Sequence, residues 1–458
     1  MSTAADRLAE FALGLTPADI PEEVHAAAKL HVLDALGCGL AAAATQTATE
    51  ARAVAALEGG AAEATVVGLR LPLPAAAAAM ANGMLFHGLD YDDTLAATGT
   101  HLSAVAAPTV LAMGERVRSG GGEVLTAFVA AAESVAAIGL AAPFAMHRRG
   151  FHATSVYGVF GAALASARLL GLDHDRAVAA LGIAGSFASG IFEYLADGSP
   201  TKPIHAGWAA HAGVRAALLA ERGARGPATV LEGRFGLFAT HADLAETALQ
   251  TSLAGLGRSW HTPEIAFKPY PSCHFIHGAL DAARQALGGH VRTPGEVESI
   301  VVTVAQDAVA FVLEPQDDKR APRTGYDAKF SLPFSVAALV VDGDVDVATY
   351  APDRLSDPRL LALAGKVRYE VGPYDDAFAG GAQIELTDGQ VLTGAQPHPR
   401  DLNESDVRRK FQSNAGLALG QADVDSLEAA VLHLDDVAEL GEALAPLTRA
   451  APMVSLVG

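Results

Sequence analysis

The spacing of hydrophobic residues along this chain changes twice, near residue 290 and again near residue 404. Between residues 21 and 260, apolar side chains recur at intervals of three and four, which is the spacing of one face of an α-helix. Helical spacing returns from Glu404 to the end of the chain. Ala-rich helices separated by glycine-rich breaks are predicted near 74–88, 103–117, 121–139, 154–170, 174–187 and 203–222.

The segment between these two helical regions has the shorter period of β-strands. Predicted strands are a β-branched run at 299–304, an alternating run at 367–371, and a hairpin of 382–386 with 391–393 around an Asp-Gly turn. This pattern predicts a mainly α protein with an inserted α+β domain. The all-helical domain combines residues 1–265 with 400–458, and the α+β domain spans residues 266–399.

Charge and cysteine content narrow the classes of partner. The 458 residues include 32 Lys and Arg against 52 Asp and Glu, and the formal charge of −20 argues against nucleic acid or an anionic membrane. A small acidic substrate stays open, because a few local cations can hold one. The two cysteines, Cys38 and Cys273, are too few for a stapled secreted scaffold.

No targeting or membrane segment is evident in the sequence. The first 15 residues carry charged side chains in a helical pattern and lack the basic start and apolar run of a signal peptide. The longest uncharged runs are broken by proline and fall short of the ~18 residues of a membrane span. We therefore expect a cytoplasmic protein with no membrane partner.

A loop at residues 267–277 concentrates groups that can do chemistry. Two prolines hold it extended before an apolar helical pattern begins, and such loops often present bases and carboxylate-binding groups. Its polar side chains include Lys268, Cys273, His274 and His277. The alternative is a kinked domain junction with chance histidines. A catalytic role for Cys273 is the less favoured interpretation, because neighbours in sequence seldom face each other.

A second group lies at residues 87–101, where histidines and three acids follow an Ala-rich helix. If that helix continues, His87, Asp90 and Thr94 share one face, and His101 follows close by. A carboxylate beside an imidazole fixes its tautomer and raises its basicity. The alternatives are a solvated acidic helix end or a metal site, although no calcium-binding ladder is present.

Two further candidates precede helices. His152 lies just before a predicted helix that Thr154 or Ser155 can cap, where the helix dipole favours a bound anion. Lys202 lies between two prolines, on a loop that can direct its ammonium at a carboxylate. The alternatives are a histidine bonded to a loop carbonyl and an exposed lysine. Lys329 is interpreted as structural.

Missing motifs exclude several chemistries. The sequence has no HExxH motif and no GxGxxG motif after a strand, and two cysteines cannot supply three thiolates to an iron–sulfur cluster. We therefore predict that the protein works without a metal.

Taken in order, five segments of the chain resemble the MmgE/PrpD family. They are HGLDYDDT with the following THLS, RGFHATS, GSPTKPIHAG, FKPYPSCHFIHGALDAA and YDAKFSLPF. The family includes 2-methylcitrate dehydratase, cis-aconitate decarboxylase and iminodisuccinate epimerase. The resemblance covers essentially the whole chain. It implies a large helical domain with a smaller lid domain, an active site between them, a homodimer, and catalysis without metal or cofactor.

The resemblance also implies a set of site residues. The implied pocket contains Asp90, Thr94, His101, His152, Lys202 and Lys268, and Cys273, His274 and Phe334 are assigned to substrate binding. Cys273 replaces a histidine of the decarboxylase-like members, and Phe334 replaces a frequent tyrosine. These departures place cis-aconitate decarboxylase last of the three activities.

The expected function is that of a cofactor-independent lyase acting on a small di- or tricarboxylic acid by proton abstraction next to a carboxylate and loss of water. His152 and His101 would be base and acid in either order, Lys202 and Lys268 would hold carboxylates, and Asp90 would orient an imidazole. The alternatives are an epimerase of an amino- or imino-dicarboxylate, then a decarboxylase, then a silent ligand-binding member. Two imidazoles argue against the last of these.

Overall fold

The computed structural model describes residues 2–45, 47, 49–245, 247–398 and 400–450. As the periodicity predicts, helices dominate the chain up to residue 254. They are α1 (Ala4–Gly14), α2 (Glu22–Ala44), α3 (Thr49–Leu57), α4 (Ala75–Phe86), α5 (Ser103–Val117), α6 (Gly121–Leu140), α7 (Ala145–Arg148), α8 (Ala153–Leu169), α9 (His174–Ala184), α10 (Tyr194–Asp197), α11 (Lys202–Glu221), α12 (Leu237–His241) and α13 (Leu249–Ala254).

Small residues allow these helices to approach closely. A Cβ added to Gly207 of α11 would lie 2.5 Å from the Met80 carbonyl oxygen of α4, and one on Gly83 of α4 would lie 2.9 Å from the Gly207 Cα. The two helices therefore touch backbone to backbone. Because α4 ends just before His87 and α11 begins at Lys202, this contact fixes the relative positions of two candidate site segments.

Two short strands connect the helical domain to the loop at 267–277. Strand β1 (Thr94–Leu95) pairs with β2 (Ile265–Ala266) in antiparallel fashion, with Thr94 opposite Ala266. This pairing brings residues 90–94 next to the segment that carries Lys268.

The lid domain is a four-stranded mixed sheet covered by helices. Its strands are β3 (Val297–Val304), β4 (Val367–Val371), β5 (Gly380–Leu386) and β6 (Val391–Gln396), in the order β4-β3-β5-β6. Its helices are α14 (His277–Leu287), α15 (Gln306–Val312), α16 (Gln316–Arg320), α17 (Gly325–Ala328), α18 (Leu332–Asp342) and α19 (Pro358–Ala364). Strand β3 runs parallel to β4 and antiparallel to β5. The predicted hairpin is confirmed as β5 and β6, and Gly389 in its turn has a φ of 86°.

After the lid, the chain returns to the helical domain. Helices α20 (Glu404–Ala415), α21 (Gln421–Leu432) and α22 (Leu440–Ala443) complete the fold. The Lys410 ammonium of α20 lies 2.8 Å from the buried Asp34 carboxylate of α2, and Phe411 packs against Gly37. The predicted class, mainly α with an inserted α+β domain, is confirmed. The division at residues 265 and 400 stays a prediction about folding units, and residues 451–458 lie outside the described part.

Two of the described helices are long and apolar enough to cross a membrane by length and composition, namely α2 and α6. The fold buries 78% and 89% of their apolar windows. Their hydrophobicity is accounted for by the core of the helical domain.

Candidate active site

The centre of the site is Asp90, on a turn that follows α4. The helix does not continue through this segment, so the shared helical face expected for His87, Asp90 and Thr94 is wrong. Helix α4 ends at Phe86, and Asp90 adopts the left-handed conformation with a φ of 53°. Aspartate tolerates this region better than most residues, and such strained residues cluster at functional sites. The turn points the carboxylate into the buried space below the cleft.

The Asp90 carboxylate joins two lysines that are far apart in sequence. Its Oδ1 accepts hydrogen bonds from Lys202 Nζ at 3.0 Å and from Lys268 Nζ at 2.7 Å, and Lys268 also donates to the Asp90 carbonyl at 2.9 Å. All three side chains are buried. Burial alone would raise the pKa of Asp90, but the charges of Lys202 and Lys268 outweigh it and hold that pKa well below its usual range. These three side chains thus form a buried group of two ammonium ions and one carboxylate.

Asp90 does not act as the expected imidazole-orienting carboxylate, because its hydrogen bonds come from lysines. Asp92 has that position instead. Both of its carboxylate oxygens lie 2.9 Å from His87 Nδ1, and both residues are fully buried. The His87 ring stacks on His152 at a centroid distance of 5.5 Å. His87 and Asp92 were visible in the acidic motif, but their pairing depends on the turn that replaces the helix.

His101 is held as a neutral ring by the groups around it. Its Nδ1 lies 2.8 Å from the Asp93 carbonyl oxygen and 3.1 Å from the Thr94 hydroxyl. Since a carbonyl can only accept, Nδ1 carries the hydrogen and Nε2 keeps its lone pair, 3.4 Å from Lys202 Nζ. Burial, together with the charges of Lys202 and Lys268, places the pKa of His101 well below its usual value. The ring can accept a proton at Nε2 but has none there to donate.

His152 is the N-cap of α8, so it lies at a helix start as expected, although the helix begins earlier than the sequence predicts. Its backbone N–H donates to the Gly190 carbonyl at 2.9 Å, and its Nδ1 lies 3.2 Å from His205 Nδ1. Nε2 is buried and has no hydrogen-bond partner among the described residues. Burial, then the charge of Lys202, lowers the pKa of His152 well below its usual value. The imidazole is therefore neutral at pH 7.

The capping role expected for Thr154 or Ser155 is wrong. The Thr154 hydroxyl accepts a hydrogen bond from the His101 backbone N–H at 3.0 Å, and the Ser155 hydroxyl donates to the His205 carbonyl at 2.9 Å. Both residues fix the backbones of site histidines. His205 itself was missed, although it follows Lys202 by one helical turn on α11, a spacing that places both on one face.

A cleft opens above these groups, between the helical domain and the lid. Six of the predicted residues line it together with Asp90, namely Thr94, His101, His152, Lys202, Cys273 and His274. Lys268 lies beneath Asp90, completely buried. Phe334 does not reach the cleft, because it is buried inside the lid on α18, near Tyr350.

The loop at 267–277 contributes two neutral polar groups. Burial raises the pKa of Cys273 to about 11, so its thiol stays protonated and is not a thiolate nucleophile at pH 7. Burial lowers the pKa of His274 to about 3, and neither of its ring nitrogens has a partner in the described structure. His277 instead points away, with Nε2 at 3.2 Å from the Ser272 carbonyl.

Two sets of possible metal ligands occur in the site. They are His87, His101 and His152, and Asp90, Asp92 and His101, with ligand atoms within 4.8 Å of one another in each set. The Lys202 ammonium lies 3.4 Å from His101 and 3.0 Å from Asp90. A divalent cation there would meet that positive charge at short range, so the residues fit a metal poorly. Metal independence stays a prediction.

Comparison with known families accounts for nearly the whole chain. The MmgE/PrpD N-terminal domain matches residues 6–250, and the MmgE/PrpD C-terminal domain matches residues 270–436. This protein belongs to the MmgE/PrpD family.

Two relatives that match over most of their length are named as cis-aconitate decarboxylases. Human cis-aconitate decarboxylase is 28% identical over 447 residues, which covers 93% of this chain and 90% of the human protein. Cis-aconitate decarboxylase of Aspergillus terreus is 27% identical over 474 residues, which covers 97% of this chain and 95% of the fungal protein. These relatives support a lyase-type enzyme and do not select one reaction for this chain.

Proposed function

We propose that this protein is a cofactor-independent lyase that removes a proton next to a carboxylate of a small di- or tricarboxylic acid and expels water from the adjacent carbon. The observation that carries this proposal is a cleft lined by Lys202 and by the neutral His152 ring, whose Nε2 has no partner among the described residues. Lys268 lies beneath the cleft and bonds to the same Asp90 carboxylate as Lys202. A cation and a base are the two functions that the reaction needs.

The lysines supply the electrostatic part. When a proton leaves the carbon next to a carboxylate, negative charge moves onto the carboxylate oxygens. Lys202 and Lys268 are held in place by Asp90 before the substrate arrives, so little reorganisation is needed during the reaction. Asp90 and the two lysines bonded to it together carry one net positive charge, which can attract one substrate carboxylate.

His152 is the proposed base. For Nε2 to accept the proton, Nδ1 must carry the hydrogen and donate it to His205 Nδ1, 3.2 Å away. His205 then has a positioning role. A bound carboxylate brings negative charge close to the ring and raises the pKa of His152 from its depressed value toward the range a base needs.

Lys202 is the proposed source of the proton for the leaving hydroxyl. His101 cannot serve directly, because its Nε2 has no hydrogen to give. Lys202 contacts that nitrogen and lines the same cleft. One proton of its ammonium group can therefore pass to the leaving hydroxyl. The neutral amine that is left can then donate a hydrogen bond to His101 Nε2. The assignment makes His152 the base and the Lys202–His101 pair the acid.

Decarboxylation is the second candidate, and the relatives favour it, since their name is cis-aconitate decarboxylase. Loss of CO₂ would use the same lysines and would need a proton delivered to the carbon. The family resemblance implies that Cys273 replaces a histidine of the decarboxylase-like members, and this difference favours water loss over decarboxylation.

The test is a substrate panel that separates the two reactions. Purified enzyme is incubated with 2-methylcitrate, citrate, malate and cis-aconitate, and the ultraviolet absorbance of unsaturated products is recorded beside released CO₂. We expect an unsaturated product from a hydroxy acid, no CO₂, and unchanged rates after exhaustive chelation. CO₂ release from cis-aconitate with no dehydration would replace the first candidate by the second. Loss of activity that one divalent metal restores would refute metal independence.

A further inference from the structure

We propose that the natural substrate carries an apolar group about the size of a phenyl ring beside its reacting carboxylate. This inference rests on the proposed function and narrows it to carboxylic acids with an apolar substituent.

The observation that carries it is a set of aromatic rings in the cleft lining. This aromatic wall consists of Phe144 and Phe192 from the helical domain and Phe275, Phe311 and Phe378 from the lid. Phe275 stacks on Phe311 at 5.3 Å and on Phe378 at 5.0 Å between ring centroids, and Phe192 meets Phe311 edge-on at 5.7 Å. The rings thus form one continuous apolar surface across both domains.

The wall is part of the cleft and not only of the protein core. Phe144, Phe192, Phe275 and Phe311 are each only partly buried, so their rings keep surface that a ligand can cover. The His152 ring lies 5.7 Å from Phe192, which places the proposed base at the border of the aromatic wall. An apolar group attached near the reacting carbon would therefore reach the rings and displace water from them.

The polar side of the cleft offers charge for little more than one carboxylate. Lys202 is the one Lys or Arg side chain that lines it within the described ranges, and Asp90 already neutralises part of the lysine pair. His274, with both ring nitrogens unpartnered, can donate one neutral hydrogen bond to a second polar group. A third carboxylate would face aromatic rings without a partner, and that burial is costly.

The test compares two unreactive ligands that differ in a single substituent. 2-Benzylsuccinate and propane-1,2,3-tricarboxylate share a succinate core, which bears a benzyl group in the first and a carboxymethyl group in the second. Titration calorimetry with the full-length protein should show roughly tenfold or tighter binding of 2-benzylsuccinate, the gain expected from burying one phenyl ring. Tighter binding of the tricarboxylate, or binding of neither, would overturn the inference.

Variants show whether the wall itself makes the difference. Phe311→Ala, and the milder Phe311→Leu, should reduce the preference for 2-benzylsuccinate, whereas Phe235→Ala should not change it. Phe235 is 80% exposed and lies outside the cleft lining, so it is a matched control. If Phe311→Ala weakens the binding of both ligands equally, the aromatic wall only packs the two domains together and the inference fails.

The failure of this inference can be told apart from failure of the proposed function. A retained preference for 2-benzylsuccinate without turnover of any hydroxy acid, 2-benzylmalate included, would sink the dehydration and keep the apolar substituent. Turnover of 2-methylcitrate, together with tighter binding of the tricarboxylate, would support the dehydration and refute the apolar substituent.

Discussion

His152 is the residue on which the proposed chemistry depends most directly. We expect His152→Gln to keep the fold, since glutamine has a similar size and a hydrogen-bonding amide, but to lose about 10²–10⁴-fold in kcat with a modest change in KM. Exchange of solvent deuterium into substrate or product, followed by mass spectrometry, should stop as well. A variant with normal kcat and a lowered Tm would instead show a structural histidine, and exchange at the wild-type rate would exclude it as the base.

We expect Lys268 to stabilise the fold, separately from its proposed role in holding substrate. Removing its charge leaves the fully buried Asp90 carboxylate with one ammonium partner, and broken buried pairs of this kind cost about 3–5 kcal/mol. We therefore expect Lys268→Met to lower the free energy of unfolding in a denaturant titration. The double variant Lys268→Met with Asp90→Asn should recover part of the loss, because the uncompensated carboxylate is gone. A double variant no more stable than the single one would contradict this explanation.

The identity of these residues could be predicted from the sequence, but their pairing could not. Proline-bounded loops and helix starts marked Lys202, Lys268 and His152 as candidates, and all of them gather around one cleft or directly beneath it. Asp90 was assigned to an imidazole because its sequence neighbours are histidines. Its actual partners lie 112 and 178 residues away, and a positive φ aims the carboxylate at them.

At the scale of elements, the contact between α4 and α11 sets the position of Lys202. Gly207→Ala would place a methyl group 2.5 Å from the Met80 carbonyl oxygen, where only backbone movement can relieve it. We expect a loss of about 1–3 kcal/mol in the free energy of unfolding, the usual cost of overpacking, together with a reduced kcat/KM. Gly14→Ala is the matched control, since nothing lies within 4 Å of the added methyl group. Equal effects of the two substitutions would refute the role of this contact.

Periodicity was a good guide to most elements and a poor guide to their ends. The predicted helices near 103–117, 121–139 and 154–170 agree closely with α5, α6 and α8. The failure at residues 87–94 has a local cause, since β1 must pair with β2 and a continued helix would prevent it. Phe334 was assigned to the cleft from a motif. Its helix buries that face against the lid core, which a sequence motif alone does not show.

At the scale of the whole molecule, the buried histidines make stability depend on pH. Burial lowers the pKa of His274 to about 3 and the pKa values of His147 and His205 to about 4. It also holds the pKa values of His101, His152 and His277 well below the ordinary value near 6.5. Below pH 6.5 these histidines bind protons in the unfolded chain but stay neutral in the native protein, so the free energy of unfolding falls as the pH falls.

Between its pKa in the unfolded chain and its lower pKa in the native protein, each such histidine changes the free energy of unfolding by about 1.4 kcal/mol per pH unit. Denaturant titrations between pH 7 and pH 5 should therefore show a steep loss of stability. His274→Gln should make the dependence of stability on pH less steep, because about one proton fewer is taken up on unfolding. A stability that stays constant over this range would contradict the buried neutral rings. Asp90 adds nothing there, because its depressed pKa removes stability only when the pH falls below the unfolded value near 3.9.

The homodimer implied by the family resemblance stays a prediction, and α11 offers a surface for it. Ile204, Trp208 and Leu219 are 39%, 38% and 45% exposed along one side of that helix. We expect light scattering at micromolar concentration to give the mass of a dimer, and Trp208→Glu to shift it toward the monomer. Leu57→Glu is the control, since Leu57 is 85% exposed on another helix. A wild-type monomer would rule the dimer out.

The position of Lys268 in the chain has a consequence for recombining parts of this family. The two family domains match residues 6–250 and 270–436, so Lys268 lies in the stretch between them. Its partner Asp90, and Lys202 on the same carboxylate, belong to the first domain. Strand β2 lies in the same stretch and pairs with β1. A chimera that takes its lid from a relative at residue 270 keeps a native Lys268, whereas a cut before β2 imports both the lysine and the strand that aligns it. Fragments separated before β2 divide Lys268 from Asp90 and Lys202, so we expect activity from such a pair only when the two fragments are mixed.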